Sequence, residues 1–304
     1  NTLRNWLKKG KTYLDELVCV LKSIALEKDS IVNCDETWCK VRKYDHYKKC
    51  YMWVLVNKAE RLVIFFYEDG SRGRDVLTNF LGDAELKALM SDGYNAYVFI
   101  GDELKTHRYK DTDHQVYLAH VRAKFVKARM EGGDKRADVF LGNINRLFRF
   151  EREYDREMIT DGERTRRRQG LPTMEAMINL RANLLQELKS EEEQKSCYMR
   201  EALNYLHKFW NEAFTYIKDG RYPISNNLAE RAVRPFTTKR KNSLHFGSDE
   251  GAEIAAVYHS IISTVKLQGR SAWDYLGKFF TGIFNGCRDF LSLTPQNIDL
   301  AVCQ

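Results

Sequence analysis

Three acidic residues interrupt apolar segments of this 304-residue sequence. Asp35 lies inside a strand-like segment, Asp92 directly follows a short apolar segment, and Glu230 lies near the start of a helical one. Carboxylate oxygens are hard ligands that suit Mg²⁺ or Mn²⁺. Two such ions held about 3.5–4 Å apart activate the attacking oxygen and stabilise the leaving oxygen in phosphodiester chemistry. If the fold brings the three carboxylates together, the sequence predicts a two-metal centre for that chemistry.

The same residues also have ordinary structural explanations. Asp92 precedes Gly93, and Asp-Gly is a common turn signal. An acid such as Glu230 near a helix N-terminus complements the helix dipole. Without metal ions, three converging carboxylates would repel one another and raise one another's pKa values. The pattern alone therefore leaves a metal site and a structural role both open.

The elements that must position these residues switch between helical and strand periodicity. Residues 1–28 predict an amphipathic helix, and three strand-like segments follow at 31–42, 49–56 and 62–67. The later predicted elements are, in order, a helix at 73–81, strands at 86–90 and 116–118, and helices from 119, from 223–226, at 250–267 and at 273–284. This order predicts a ribonuclease H-like α/β fold, a mixed sheet flanked by helices.

A charge-dense region at 131–220 has helical periodicity and a single proline, Pro172. We interpret it as an all-helical insertion into the α/β domain. The predicted parts are a leading helix at 1–28, a catalytic domain at 29–130 and 221–270, the helical insertion at 131–220, and a C-terminal helical tail at 271–304. In this fold the first and fourth strands are neighbours, and the helix after the insertion packs across the same edge. We therefore expect Asp35, Asp92 and Glu230 to converge.

Basic residues are concentrated directly after the third carboxylate. The whole chain has 49 Lys and Arg against 42 Asp and Glu, an excess that permits a nucleic-acid partner without requiring one. Five basic residues and no acid lie between positions 231 and 241: Arg231, Arg234, Lys239, Arg240 and Lys241. We interpret this strip as a contact to DNA phosphates, the alternative being a solvated helix face broken at Pro235. The arginines at 164–168 are likewise either a DNA contact or a solvated loop.

Composition excludes several classes of protein. Hydrophobic residues make up 43% and charged residues 30%, which is typical of a folded domain and not of a disordered chain. No segment approaches the roughly 18 uncharged apolar residues of a membrane helix. The seven cysteines are scattered, with no Cys-x-x-Cys pair and no secretory signal, so we expect reduced thiols in a cytoplasmic protein. Because the sequence starts at Asn1 instead of Met, we expect it to be a piece of a longer chain.

Several short blocks occur in one order along the chain. They are Asp35-Glu36-Thr37, Ser91-Asp92-Gly93-Tyr94, the seven residues 119–125, the ten residues 226–235, Arg240-Lys241-Asn242, and Gly247-Ser248. Together they resemble the DDE transposases of the insertion sequence 66 family, over about residues 28–270. The block from 226 to 251 is the most specific part of the resemblance.

The resemblance implies that Asp35, Asp92 and Glu230 form the catalytic, metal-binding triad, holding Mg²⁺ or Mn²⁺ as two ions. It further implies a DNA transposase that cleaves phosphodiesters at the ends of an insertion sequence and transfers the strands. The alternatives are a related ribonuclease H-like nuclease and a catalytically inactive, truncated DNA-binding remnant. Longer family members carry an N-terminal DNA-reading region, so we expect this chain to be the catalytic part alone or a truncated copy.

The resemblance also implies a set of DNA-contacting residues. They are His120, Arg122, Lys124, Asn227, Arg231, Arg234, Lys239, Arg240 and Lys241. The implied partners are the DNA of the element ends and of the target, with a homodimer on DNA and no membrane. The expected location is the bacterial cytoplasm, in association with the nucleoid.

Overall fold

The structure is a computed structural model that describes residues 2–190, 195–225 and 227–299, with helix backbone only at 228 and 239–242. Its elements are α1 (Thr2–Ala25), β1 (Ile31–Arg42), β2 (Tyr47–Asn57), β3 (Leu62–Glu68), α2 (Arg74–Leu81), β4 (Ala88–Ser91), β5 (Asp113–Val116), α3 (Leu118–Met130), α4 (Ala137–Glu157), α5 (Asp161–Arg168), α6 (Leu171–Lys189), α7 (Cys197–Lys208), α8 (Trp210–Phe214), α9 (Asn227–Ser243), α10 (Asp249–Leu267) and α11 (Ala272–Phe284). Within these ranges, every helix is too short or too polar to cross a membrane.

The strands form one five-stranded sheet in the order β3-β2-β1-β4-β5. β1 pairs with β2, and β2 with β3, in antiparallel register, as the closely spaced strand patterns predict. The mixed α/β class predicted from the order of elements is confirmed. β1 has the predicted bounds: its first half is largely buried on both faces, and its second half alternates between buried and exposed residues, as a strand with one covered face does.

The chain divides into two compact units. Of the described residues, the first unit contains those up to Leu89, Asn95–Thr112, and those from Asn227 onward. The second unit contains Met90–Tyr94 and the residues from Asp113 to the start of α9. The sheet strands β1, β2 and β3 and the helices α1, α9, α10 and α11 thus belong to the first unit, and α3 to α8 belong to the second.

The core of the first unit lies between the sheet and two helices. Alternate residues of β2 and β3 pack against α9 and α10. The buried members of this cluster are Met52, Val54, Val56, Val63, Phe65, Ala229, Val233, Phe236 and Ala256. On α9 the buried positions recur every three or four residues, as a helix that buries one face requires. The sheet therefore fixes which face of α9 points outward.

Hydroxyl groups of α10 cover part of the outer edge of β3. The backbone N–H of Val63 donates to Oγ1 of Thr264 at 3.0 Å, and that of Phe65 donates to Oγ of Ser260 at 2.7 Å. Both hydroxyls are fully buried. A strand at the edge of a sheet has unpaired backbone groups, and here two of its donors are satisfied by helix side chains.

The arginines at 164–168 lie in helix α5, and two of them bind internal carboxylates. Arg168 is 1% exposed and donates to both carboxylate oxygens of Glu151, at 2.8 and 2.7 Å. It also donates to the backbone carbonyls of Tyr216 and Asp219. Arg164 reaches the same Glu151 at 3.0 Å. The interpretation of this stretch as a DNA contact or a solvated loop is therefore wrong for Arg168. Its side chain joins α5 to α4 and to the chain at 216–219 within the second unit.

The position of β5 and the course of α9 at Pro235 differ from expectation. The strand expected at 116–118 runs from Asp113 to Val116, because the buried polar side chains of His114 and Gln115 find internal partners. His114 Nε2 lies 3.0 Å from Ser91 Oγ, and Gln115 donates to the carbonyl of Pro223. A strand with polar residues at its centre gives no apolar run. Pro235, expected to break its helix on one interpretation, lies inside α9.

We predict that Arg168→Met destabilises the protein by about 3–5 kcal/mol, because it leaves the Glu151 carboxylate buried without its main counter-ion. Equilibrium urea unfolding measures this loss. The matched control is Arg166→Met, since the Arg166 side chain is 80% exposed in its ion pair with Glu163. That change is expected to cost about 0–1 kcal/mol. Equal losses from both variants would contradict the internal role of Arg168.

Candidate functional site

Asp35 lies on the face of the sheet that α9 covers. In the β1–β2 register Asp35 is opposite Val54, and Glu36 is opposite Trp53. Residues directly opposite each other share a face, and successive residues alternate between faces. Val54 is buried against Ala229 of α9. The half-buried carboxylate of Asp35 therefore belongs to the α9 side of β1, whereas Glu36 belongs to the other side.

Glu230 lies beside the buried stripe of α9. It is exposed and occupies the first turn of the helix, next to the fully buried Ala229. α9 packs against both β1 and β2. Within the first unit, the Asp35 side chain and the helix that bears Glu230 thus lie on the same side of the sheet. The convergence of the carboxylates themselves stays a prediction.

Asp92 directly follows β4 and begins a tight turn in the second unit. Its Oδ1 accepts the backbone N–H of Tyr94 at 2.9 Å, and its carbonyl accepts the hydroxyl of Tyr205. Gly93 has φ +80°, and a Cβ there would lie 2.8 Å from the Tyr205 hydroxyl and 3.2 Å from the ring of Phe209. The turn that Asp92-Gly93 predicts is therefore present. Its hydrogen bond to Tyr94 holds the half-buried Asp92 carboxylate in a defined position.

Three predicted DNA contacts lie at the start of α3, also in the second unit. His120 is half-buried and Arg122 is exposed, with its Nε donating to Asn145 Oδ1 at 2.7 Å. Lys124 donates to Glu201 at 2.5 Å, and its Nζ lies 4.7 Å from the ring centre of Tyr205. The pairing lowers the pKa of Glu201, so the carboxylate stays charged beside Lys124. Lys124 thus has a structural role between α3 and α7.

The basic strip of α9 is exposed where its side chains are described. Asn227 begins the helix, and Arg231 and Arg234 are exposed one and four positions after Glu230. At 239–241 the helix backbone is described, but the side chains of Lys239, Arg240 and Lys241 lie outside the described residues, as does Asn226. The exposed guanidinium groups of the strip therefore start immediately beside the third carboxylate.

A buried charge network next to Asp35 was not predicted. The side chain of Glu36 is 1% exposed, accepts Nε of Arg72 at 2.6 Å, and accepts the hydroxyl of the fully buried Tyr97. Burial raises the pKa of Tyr97, with the Glu36 charge as a further cause. The backbone N–H of Glu36 donates to Oδ1 of Asp35 at 2.8 Å. The sequence did contain a signal, because two consecutive acids in a strand must face opposite sides.

A second unpredicted network joins the end of β1 to the start of α10. Nζ of Lys43 lies 2.8 Å from Asp69 and 2.6 and 2.7 Å from the two oxygens of Asp249. The Tyr67 hydroxyl also donates to Asp249, and the Cys50 thiol lies 3.3 Å from Asp69. Cys50, Asp69 and Asp249 have the spacing of a metal site. The ammonium group of Lys43 already neutralises the carboxylates, so the geometry is that of an ion-pair network.

Comparison with known proteins identifies the family. The transposase IS66 family matches residues 1–254 of the 304. The match covers well over half of the chain and includes Asp35, Asp92 and Glu230. The chain therefore belongs to the transposase IS66 family, as its sequence blocks predict.

Two relatives come from Sinorhizobium fredii. The uncharacterized protein y4jD is 29% identical over 253 residues, which are 79% of this chain and 47% of that protein. The uncharacterized protein y4qI is 27% identical over 239 residues, which are 78% of this chain and 43% of that protein. The chain thus spans about half the length of the relatives that it matches.

The Lys43 network predicts a stability loss at acid pH. The hydrogen bond from Lys43 is the main cause that lowers the pKa of Asp69 from 3.8 to about 2, and it also lowers the pKa of Asp249. A carboxyl group whose pKa is depressed by folding stabilises the fold above its unfolded pKa, and this contribution is lost as the pH falls through the folded value. The window therefore lies between about pH 4 and pH 2.

We expect Lys43→Met to lower the urea midpoint at pH 7, and the difference from wild type to shrink by about half at pH 3. The matched control is Lys58→Met, an exposed lysine of the β2–β3 turn. Its small effect should be the same at both pH values. A Lys43→Met deficit that is independent of pH would show that the network contributes through packing and not through charge.

Proposed function

We propose that this chain is the catalytic region of a DDE transposase with a ribonuclease H-like fold. Its activity would be divalent-metal-dependent cleavage of DNA at insertion-sequence ends, followed by strand transfer. One observation carries the proposal: Asp35 lies on the sheet face covered by the helix that bears Glu230, in a chain that belongs to a transposase family. Asp92, at the turn after β4, is the third member of the proposed triad.

The donor set of the proposed site suits Mg²⁺ or Mn²⁺. Asp35, Asp92 and Glu230 offer carboxylate oxygens, which hard divalent ions prefer. Asp35 is half-buried and Glu230 is exposed, so neither carboxylate is sealed from solvent. Two bound ions would supply charge neutralisation at the attacking and leaving oxygens of the phosphodiester. The Cys50 cluster fits such ions less well, because Lys43 already binds its two carboxylates.

The surrounding residues hold the proposed ligands in position. The N–H of Glu36 donates to Oδ1 of Asp35, and Arg72 and Tyr97 hold Glu36 from the other side of the sheet. The turn at Gly93 orients Asp92. Arg231 and Arg234 follow Glu230 along α9 and would bind the phosphates flanking the cleaved bond. Lys239, Arg240 and Lys241 extend this proposed contact on sequence grounds.

We predict that Asp35→Asn, Asp92→Asn and Glu230→Gln each reduce metal-dependent DNA strand cleavage at least about 100-fold, since a metal ion contributes several kcal/mol to such a reaction. The folds should be retained. An amide oxygen still accepts the hydrogen bonds from Glu36 and Tyr94, and Glu230 is exposed. Cleavage of a labelled duplex carrying the element end, with Mg²⁺ or Mn²⁺, measures the effect.

The matched controls are Asp111→Asn and Glu253→Gln, which change exposed acids of the first unit. Both controls should cleave as wild type does. Undiminished cleavage by any one of the three triad variants would remove that residue from the proposed site.

Joining of a pre-cut 3′ end to a second duplex distinguishes a transposase from a nuclease. If wild type neither cleaves nor gains thermal stability with metal, the chain is a non-catalytic DNA-binding remnant.

The basic strip predicts a salt-dependent affinity. Arg231→Ala and Arg234→Ala should each weaken binding to any duplex and reduce the slope of log Kd against log salt by about 1, because each removes one phosphate contact. Fluorescence anisotropy at several salt concentrations measures the slope. Arg156→Ala is the control, since Arg156 is exposed at the end of α4 in the second unit. A slope that changes equally in the control would place the contact elsewhere.

A further inference from the structure

An apolar groove lies between α1 and α11 in the first unit. This open groove has a volume of about 1030 Å³ and is lined mainly by apolar and aromatic side chains, including Tyr258 of α10. Large side chains on its rims are open to solvent. Trp6 is 65% exposed, Trp273 is 85% exposed and Phe284 is 80% exposed. Exposed aromatic residues concentrated in this way mark an interaction surface.

The spacing of the lining residues matches what a helix-packing surface requires. On α11 they recur at intervals of four, three and four, at Trp273, Gly277, Phe280 and Phe284. On α1, Leu3, Trp6, Gly10 and Tyr13 recur at intervals of three, four and three, and Leu7, Lys9 and Thr12 line the groove beside them. Alternating steps of three and four place side chains along one seam of a helix, as in coiled coils and helical bundles. The groove therefore suits other helices and not an extended peptide.

Two glycines shape the groove between the protruding rings. A Cβ at Gly10 would lie 2.4 Å from the hydroxyl of Tyr258, so a larger residue there would require Tyr258 to shift. Gly277 has open space where its Cβ would point. The surface thus combines large protruding aromatic side chains with an unfilled position at Gly277. A contact between two copies could pair these two features.

The exposed area is close to what a stable dimer buries. Taking roughly 150–250 Å² for a complete aromatic side chain, the exposed parts of Trp6, Trp273 and Phe284 amount to about 450 Å². Leu3 and Leu7, at 73% and 45% exposure, bring the apolar patch to about 600 Å². Twice that area, about 1,200 Å², reaches the lower limit for specific protein interfaces. A monomer usually exposes no larger single patch than this.

We propose that this groove is the interface between two copies of the chain, related by a twofold axis. In such a pairing, Trp273 or Phe284 of one copy enters the space at Gly277 of the other, and the four helices of the two copies form a bundle. An isologous contact of this kind needs one self-complementary patch, which the groove supplies. The assembly is independent of the proposed metal site, because it uses neither the triad nor the basic strip.

Sedimentation velocity of the chain over a micromolar concentration range tests the interface. Wild type is expected to show a reversible monomer–dimer equilibrium. Trp273→Glu and Leu3→Glu should raise the dimer Kd at least about tenfold, because they place charge in an apolar contact. Leu104→Glu is the matched control, since Leu104 is 98% exposed in the first unit outside the groove. It should dimerise as wild type does.

A further variant separates a loss of dimerisation from a loss of folding. Gly277→Leu adds a side chain where a Cβ would meet no atom within 4 Å, and it replaces a helix glycine by a better helix former. Its thermal stability should equal or exceed that of wild type, and its dimer should be at least about tenfold weaker. A monomeric wild type at about 100 µM would overturn the proposal. So would a dimer that all three groove variants leave intact, or one that Leu104→Glu disrupts equally.

Discussion

The register between β1 and β2 determines which face of the sheet each acidic residue of β1 occupies. Because strand side chains alternate, a slip by one residue would exchange the faces of Asp35 and Glu36. In the observed register, Asp35 shares a face with Val54 and α9, and Glu36 faces Trp53 on the other side. The Arg72 and Tyr97 partners of Glu36 would be lost in the slipped register. The buried charge on one face thus secures the position of the Asp35 carboxylate on the other.

Local periodicity made much of the fold predictable. The bounds of β1 and the helices α10 and α11 follow from patterns of two and of three to four residues, because those patterns record which side of an element is buried. The resemblance in the blocks around Asp35, Asp92 and Glu230 predicted the family, which the match over residues 1–254 confirms. The proposed roles of these three residues remain predictions.

The features that could not be predicted depend on partners far apart in the chain. Lys43 and Asp249 are 206 positions apart, and neither has a local pattern that indicates the other. Arg168 looked like a member of a solvent-facing basic cluster, although its partner Glu151 lies one helix earlier on α4. The strand β5 was misplaced since its buried centre is polar. In each case a long-range hydrogen bond, and not local hydrophobicity, determines the position of the residue.

The hydroxyls of Ser260 and Thr264 have a consequence for assembly. They occupy the outward-pointing N–H groups of Phe65 and Val63, so the free side of β3 cannot donate these bonds to a strand from another molecule. Edge-to-edge sheet extension, a common route to aggregation, is therefore blocked along the middle of this strand. Two small polar residues on a helix thereby protect a strongly apolar strand from polymerising with its copies.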